Sequence, residues 1–317
     1  MEIPNTPVES RGVQVFGVAV NPPRPNRMMG QFKMEHITTT QLVAEVKGIY
    51  RGLAIIESKA IEVGNAQSAS QRAKLTRDQW QALIFLHRTL LYEHHDFFLA
   101  IQHPASTLAM QKLSIKHDMP ARMWRYGVYR FLELLYHQLP DSHEFMLIFI
   151  YCAYGMITLL YETIPAHKEI WIEYLGDLSR YRMAIEKADD SVRKIWAGVS
   201  RGWYQLASDK MPSVGRLYHH IAILAQPDAL QQLFYYFKSL CVAIPFLRAR
   251  DSILSVFDPL IEGNKSQYDP IDTAFVRIHG ILFNGRGQEK LNNSLSEYLE
   301  NIDLYIARNT IKWLERG

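Results

Sequence analysis

Gly176-Asp177-Leu178-Ser179-Arg180-Tyr181-Arg182 is the stretch of this chain whose side chains best suit a defined chemistry. On a helix, Asp177, Arg180 and Tyr181 stand at i, i+3 and i+4 and share one face. Arginine offers a planar fork of donors and tyrosine adds a hydroxyl, and together they suit a tetrahedral phosphate. The same spacing also makes an intrahelical Asp177–Arg180 ion pair on a solvated face, so two readings stand side by side. A second concentration is basic. Lys112, Lys116, Arg122, Arg125 and Arg130 are opposed only by Asp118, and Arg193, Lys194, Arg201, Lys210 and Arg216 only by Asp209. Trp124, Tyr126, Tyr129, Trp203, Tyr204 and Tyr218 are interleaved with them. Cations with stackable rings are what single-stranded nucleic acid uses. The plainer alternative is that the rings are core and the charges are helix exteriors.

Other motifs fall away. Gly198-Val199-Ser200-Arg201-Gly202 fits G-x-S-x-G, but that elbow needs a strand before the serine, and here the run lies inside a helical pattern. Gly285-Arg286-Gly287 lacks the third glycine of a dinucleotide loop. The pairs His94-His95 and His219-His220 are adjacent, and adjacent helical residues point about 100° apart, so neither pair chelates a metal from one helix. These are expected to be packed imidazoles. No catalytic residue, metal, cofactor or small-molecule substrate is expected.

The elements that must position these groups are helices. The chain has 317 residues, 48% hydrophobic and 21% charged, which excludes a disordered or fibrous protein. A formal net charge of +3 is too small to demand a nucleic-acid partner by itself. Cys152 and Cys241 both lie in apolar runs and read as buried free thiols of a reducing compartment. No secretory leader is expected at the start. Phe145 to Tyr161 is uncharged over 17 residues, short of a membrane span, and reads as a central helix buried on most sides.

Leu42, Val46, Ile49, Leu53, Ile56 and Ala60 recur at helical spacing after Thr38–Thr40, and Gly64-Asn65 is expected to end that helix. Thr76 caps a second helix that His103-Pro104 stops. Pro120 opens the next, Asp141 caps the apolar one, and Pro165 opens another that runs to about Lys187. Nothing alternates with period two over a strand length. Tyr204, Ala207 and Pro212 have the spacing Y-x-x-A-x-x-x-x-P, and Phe237, Leu240 and Pro245 repeat it 33 residues later with Leu for Ala. That is a degenerate tetratricopeptide pattern, which stacks into a concave surface. Leu291, Leu295, Tyr298, Ile302 and Tyr305 give a final helix that covers the end of the stack or meets a coiled-coil partner. The fold class is therefore all-α.

Pro212 to Ala225 and Leu233 to Leu240, with Pro245-Phe246 and Ala249-Arg250 after them, resemble the core signature of the Est-type DNA/RNA-binding domain. This is the domain of the telomerase subunit named for ever shorter telomeres and of the SMG proteins of nonsense-mediated mRNA decay. The resemblance covers roughly residues 77 to 260 and is most similar to the filamentous-fungal branch. The Pro-rich, aperiodic start is expected to be a disordered segment over 1–35, and the resemblance implies a 14-3-3-like helical bundle over 36–190 and tetratricopeptide-like helical hairpins over 191–317. It also implies a non-enzymatic adaptor of the nucleus and cytoplasm, acting in mRNA surveillance or telomere maintenance. Its partners would be a phosphorylated protein, RNA or single-stranded DNA, with no membrane. The alternative is a structural scaffold that binds protein through the concave face. In 14-3-3 proteins a G-D-x-x-R-Y run supplies the phosphoserine ligands, so Arg180 and Tyr181 carry over as phosphate ligands. The other cation, a lysine after an aromatic in that family, becomes Arg130 in Tyr129-Arg130, or Arg125 one register away. The nucleic-acid patch would use Arg122, Arg125, Arg201, Lys210 and Arg216. The acidic cluster of the larger members' nuclease domain has no counterpart after residue 260, so nuclease activity is not carried over.

Overall fold

Thr38 begins the first helix by a capping box. Its hydroxyl accepts the Gln41 N–H at 3.3 Å and its own N–H donates to Gln41 Oε1 at 2.8 Å. The computed structural model describes residues 37–69, 74–263 and 268–314, so the disorder expected over 1–35 lies outside the described residues. Helix α1 (Thr39–Ala69) buries Leu42, Val46, Leu53 and Ala60, with Glu57 on the same face. It does not stop at Gly64-Asn65. Gly64 has an ordinary helical φ and so provides no left-handed cap; inside a helix it costs only about 1 kcal/mol of propensity, which packing overrides.

Helix α2 (Arg77–Gln102) starts on a second capping box, Thr76 with Gln79, and stops at His103 before Pro104. Three single turns follow: α3 (Leu108–Gln111), α4 (Leu113–Lys116) and α5 (Met119–Arg122) with Pro120 in its first turn. A π-helical turn, Met123–Tyr129, runs directly into α6 (Arg130–His137). Nothing in the residue pattern announced that turn. Helix α7 (His143–Thr163) begins at Ser142 without a side-chain cap, and Asp141, the expected cap, instead pairs with Lys74 Nζ at 2.7 Å. Among the described residues α7 alone is long and apolar enough for a membrane span. It is not buried on most sides. Met146, Phe149, Ala153, Ile157 and Leu160 face α2, α6 and α8, while Ile148 and Leu159 stay exposed and Tyr151, also exposed, only edges the Trp196 ring and accepts from Arg182.

After a 3₁₀ turn at Pro165–His167 come α8 (Lys168–Ile185), α9 (Asp190–Lys210), α10 (Gly215–Leu224) and α11 (Ala229–Cys241). Then follow α12 (Ala249–Ser252), α13 (Leu254–Glu262), α14 (Pro270–Asn284) and α15 (Leu291–Leu314). Among the described residues there is no strand, only a single parallel bridge, Val214 with Ile244. That bridge lies where the repeat expects its prolines. Gly215 N–H donates to Ile244 O and Ile244 N–H to Ser213 O, both at 2.9 Å, so the loops of Pro212 and Pro245 lie side by side.

The helix pairs are closed by one device used twice. Ser200 Oγ donates to Gly176 O at 2.8 Å, joining α9 to α8, and Ser239 Oγ donates to Gly215 O at 2.8 Å, joining α11 to α10. A Cβ on Gly176 would come 2.9 Å from the Tyr204 ring, and one on Gly215 would fall on the Ser239 carbonyl oxygen. Ile172, Tyr204, Ala207, Leu217 and Ile221 form the core that α8, α9 and α10 share. A second core gathers Leu233, Tyr236, Phe257, Leu260 and Val276 between α11, α13 and α14. Helix α15 lays Leu291, Tyr298 and Ile302 toward α14, but Leu295 and Tyr305, expected on that face, are exposed because Ser294 takes the buried position. Cys152 is half-buried and Cys241 exposed, contrary to expectation, since Cys241 ends α11 on its open side.

Candidate functional site

Helix α8 carries the Gly176–Tyr181 run, and the structure pairs its charges. Arg180 Nη2 meets Asp177 Oδ1 at 3.2 Å and Arg180 Nε meets the Tyr204 hydroxyl at 3.4 Å. Tyr204, fully buried on α9, donates to the same Asp177 oxygen at 2.6 Å. The ion pair read from the spacing is therefore present. It is not sealed, because the Arg180 side chain is 28% exposed and its Nη1 makes no hydrogen bond among the described residues. Burial disfavours the charge, and the oxygens of Tyr204 and Asp177 offset this, so the guanidinium pKa is raised. The Tyr204 phenol is pushed well above its ordinary range by burial and then by the Asp177 charge.

Tyr181 stays beside Arg180, whose guanidinium lies 5.5 Å from its ring, but it bonds a different helix. Its hydroxyl donates to Glu133 Oε1 on α6 at 2.6 Å, and burial followed by that bond raises its pKa. Glu133 lies three residues after Arg130, on the same face of α6. Arg130 and Tyr129 are exposed and form the wall between two cavities. One, of about 660 Å³, is lined by Asn65, Gln67, Glu133 and His137 besides these two. The other, of about 560 Å³, has Trp124, Arg125 and Tyr174. The Trp124 and Tyr174 rings stack at 4.3 Å and 13°. Arg125 and Arg130 flank the Tyr126 ring at 5.9 and 5.1 Å. Arg180 and Tyr181 line neither cavity; Tyr181 reaches their border through Glu133. The π-helical turn carries Arg125 and Tyr129 and sets the register that presents both, and such turns are frequent at functional sites.

The basic patch is divided. Arg122 donates from Nη2 to both Glu57 oxygens at 3.0 and 3.1 Å and from Nη1 to the Tyr50 hydroxyl at 3.1 Å, clamping α1 to α5. Arg216 forks onto Glu173 at 2.6 and 2.8 Å, while burial pushes the Glu173 carboxyl up and Arg216 pulls it down. Arg201 Nη2 takes the Leu224 carbonyl at 2.7 Å, where the C-terminal end of α10 welcomes a cation. Only Arg125 and Lys210 of the five are exposed without an ion pair among the described residues. Ser200 is fully buried in mid-helix, as its Gly176 bond requires. The imidazoles of His219 and His220 are packed: His220 stacks on Tyr204 at 4.9 Å and His219 bonds Ser252 Oγ at 2.9 Å. Spacing alone could have flagged Glu133, one turn from Arg130. Tyr204 and Glu173 act through tertiary packing and gave no such signal.

Residues 200–312 match the family model described as Est1 DNA/RNA binding domain. Over this stretch the chain is similar to the Est/SMG proteins. The Est-type match begins in α9, well after the residue 77 expected, so α6 and α8 lie outside it, and it reaches into α15, beyond the 260 expected. Residues 200–312 take in Arg201, Lys210 and Arg216. The nonsense-mediated mRNA decay factor SMG7 of Danio rerio is 31% identical over 134 residues, 40% of this chain and 10% of that protein. The SMG7 of Arabidopsis thaliana is 32% identical over 117 residues, 36% of this chain and 11% of that protein. The telomerase-binding protein EST1A of Danio rerio is 36% identical over 85 residues, 26% of this chain and 5% of that protein. The matches thus span about a tenth or less of these relatives' lengths.

Proposed function

We propose that this Est-type chain is a non-enzymatic adaptor of mRNA surveillance or telomere maintenance, working in nucleus and cytoplasm, and that its α6–α8 face holds a phosphorylated peptide. Arg130 meets the phosphate first, Arg125 stands at the rim, and Arg180 and Tyr181 join by exchanging Asp177 and Glu133 for phosphate oxygens. The single observation that carries the reading is the Tyr181–Glu133 hydrogen bond, which ties the G-D-x-x-R-Y helix to the turn of α6 that presents Arg130 between two open cavities. Charge-assisted hydrogen bonds contribute roughly 1.5 to 3 kcal/mol each, enough to replace an ion pair at 3.2 Å that uses one arm of the fork. The test is fluorescence anisotropy with a phosphoserine peptide library and its unphosphorylated counterpart. A phosphate-dependent gain that Arg130→Ala removes supports the reading; equal binding of both libraries refutes it.

Nucleic-acid binding is the second reading, favoured by the description of the matched family. It would draw on Arg125 and Lys210, since Arg122, Arg201 and Arg216 are engaged internally. Affinity for a single strand should then fall by about 0.7 in log K per log salt for each phosphate neutralised.

A further inference from the structure

Helices α11 and α14 leave an apolar groove between them. The cavity is about 610 Å³, with Leu230, Leu233, Phe234, Phe237 and Phe275 on its walls and Lys238 and His279 as the polar residues in it. Phe234 is 58% exposed, far more than an aromatic of a core seam should be. The two helices run in the same direction: Asp228 and Asp272 act on each other at the start, and Phe237 meets His279 and Phe283 further along. The ends of the groove differ in charge. At the start stand Asp228, Asp269 and Asp272. Burial, Asp269 and Asp228 together hold the Asp272 carboxyl above its usual range. At the far end are Lys238, exposed over the Tyr218 and Phe234 rings, and Arg250, over the Phe283 ring at 5.5 Å.

We infer that this groove docks an amphipathic helix of a partner protein, lying antiparallel to α11 and α14, with acidic residues in its first turn and basic residues in its last. A helix is the form that fits the walls. They are helical faces whose backbone groups are already bonded, so an extended peptide would find almost nothing for its own N–H and C=O groups. A helix arrives with those groups satisfied and needs only an apolar stripe at i, i+3, i+4 and i+7. The direction follows from charge. Acidic residues are favoured at a helix start and basic ones at its end, and only the antiparallel course brings the first to Lys238 and Arg250 and the second to the aspartates. The groove is separate from the α6–α8 face, so the two proposals stand or fall apart.

The test uses the full chain and three labelled peptides of equal length, the first two identical in composition, read by fluorescence anisotropy. The first is a three-turn amphipathic helix with Glu in the first turn and Lys in the last. The second exchanges those ends, and the third keeps the first order with a central proline. The first should bind about tenfold tighter than the second, two exposed end contacts together being worth about a factor of ten. The third should bind no better than background. Phe234→Glu, at an exposed position, should abolish binding with the melting temperature unchanged, and Lys238→Glu should narrow or reverse the preference. Equal binding of the first two peptides, retention of the proline peptide, or indifference to Phe234→Glu would overturn the inference. So would a dimer in sedimentation that Phe234→Glu dissolves, because the occupant would then be a second copy.

Discussion

Tyr204 sets how close two helices come and which charges they share. Its ring lies where a Cβ on Gly176 would have to go, and its hydroxyl donates to Asp177 while approaching Arg180. Gly176→Ala should therefore destabilise the fold by about 1 to 3 kcal/mol through overpacking, measured by urea denaturation. Gly198→Ala, on the same seam's second helix with nothing within 4 Å, should instead stabilise by about 0.5 to 1 kcal/mol through helix propensity. Equal effects at the two sites would mean that α8 and α9 do not approach as described. At this scale the sequence was informative about types and poor about partners. Asp177, Arg180 and Tyr181 on one helical face were legible, and so was the ion pair as one of two readings. What each residue meets across helices was not, because Glu133 and Tyr204 come from elements 48 and 24 to 27 residues away. The basic patch shows the same limit. Counting cations could not reveal that a buried Glu57 or Glu173, or the end of α10, already claims Arg122, Arg216 and Arg201.

Helix α2 buries two imidazoles that set an acid limit on the bundle. His87 stacks on Phe131 at 4.3 Å and bonds the Gly127 carbonyl, and His94 bonds the Leu90 carbonyl; burial lowers both pKa values to about 4. His220 in α10 is lowered to about 3 by burial. The unfolded chain titrates these groups near 6.5, so it binds more protons than the folded chain between 6.5 and about 4. Stability is full above 6.5 and falls with pH below it, by at most about 1.4 kcal/mol per pH unit for each imidazole. Denaturant melts at pH 7.5 and 5 should differ by more than about 2 kcal/mol, and His94→Gln should flatten the slope. Identical midpoints would show that these rings are not buried neutral. The helices were legible at Thr38, Thr76, His103-Pro104 and Pro165, whereas Asp141, expected as a cap, pairs with Lys74 instead. Two further failures have other causes. Gly64 was read as a stop because glycine usually punctuates, yet packing carried α1 through it. The π-helical turn at Met123–Tyr129 has no residue signature, and it is this turn that presents Arg125 and Tyr129.

Across the described chain the helices divide the surface into regions of different chemistry. The face at α6 and α8 is polar, cationic and flanked by the Trp124–Tyr174 stack, while the groove at α11 and α14 is apolar with charged ends. The repeat behind the second was legible from Y-x-x-A-x-x-x-x-P, and the side-by-side loops of Pro212 and Pro245 give it a physical basis. A protein with two such surfaces suits an adaptor better than a single-ligand receptor, and the phosphate face is the central part of that account. The measurement that tests it most directly is the affinity ratio between phosphoserine and serine forms of a peptide library, for the wild type, Arg130→Ala and Arg180→Ala. The account predicts at least about tenfold preference for phosphoserine in the wild type, since one charge-assisted bond of about 1.4 kcal/mol suffices for a factor of ten. Each variant should lose most of that preference while serine-form binding barely changes, and Arg180→Lys should recover only part, because an ammonium lacks the fork. A wild-type ratio near one, or a preference that survives both substitutions, would contradict it and leave Arg180 as the structural partner of Asp177 and Tyr204.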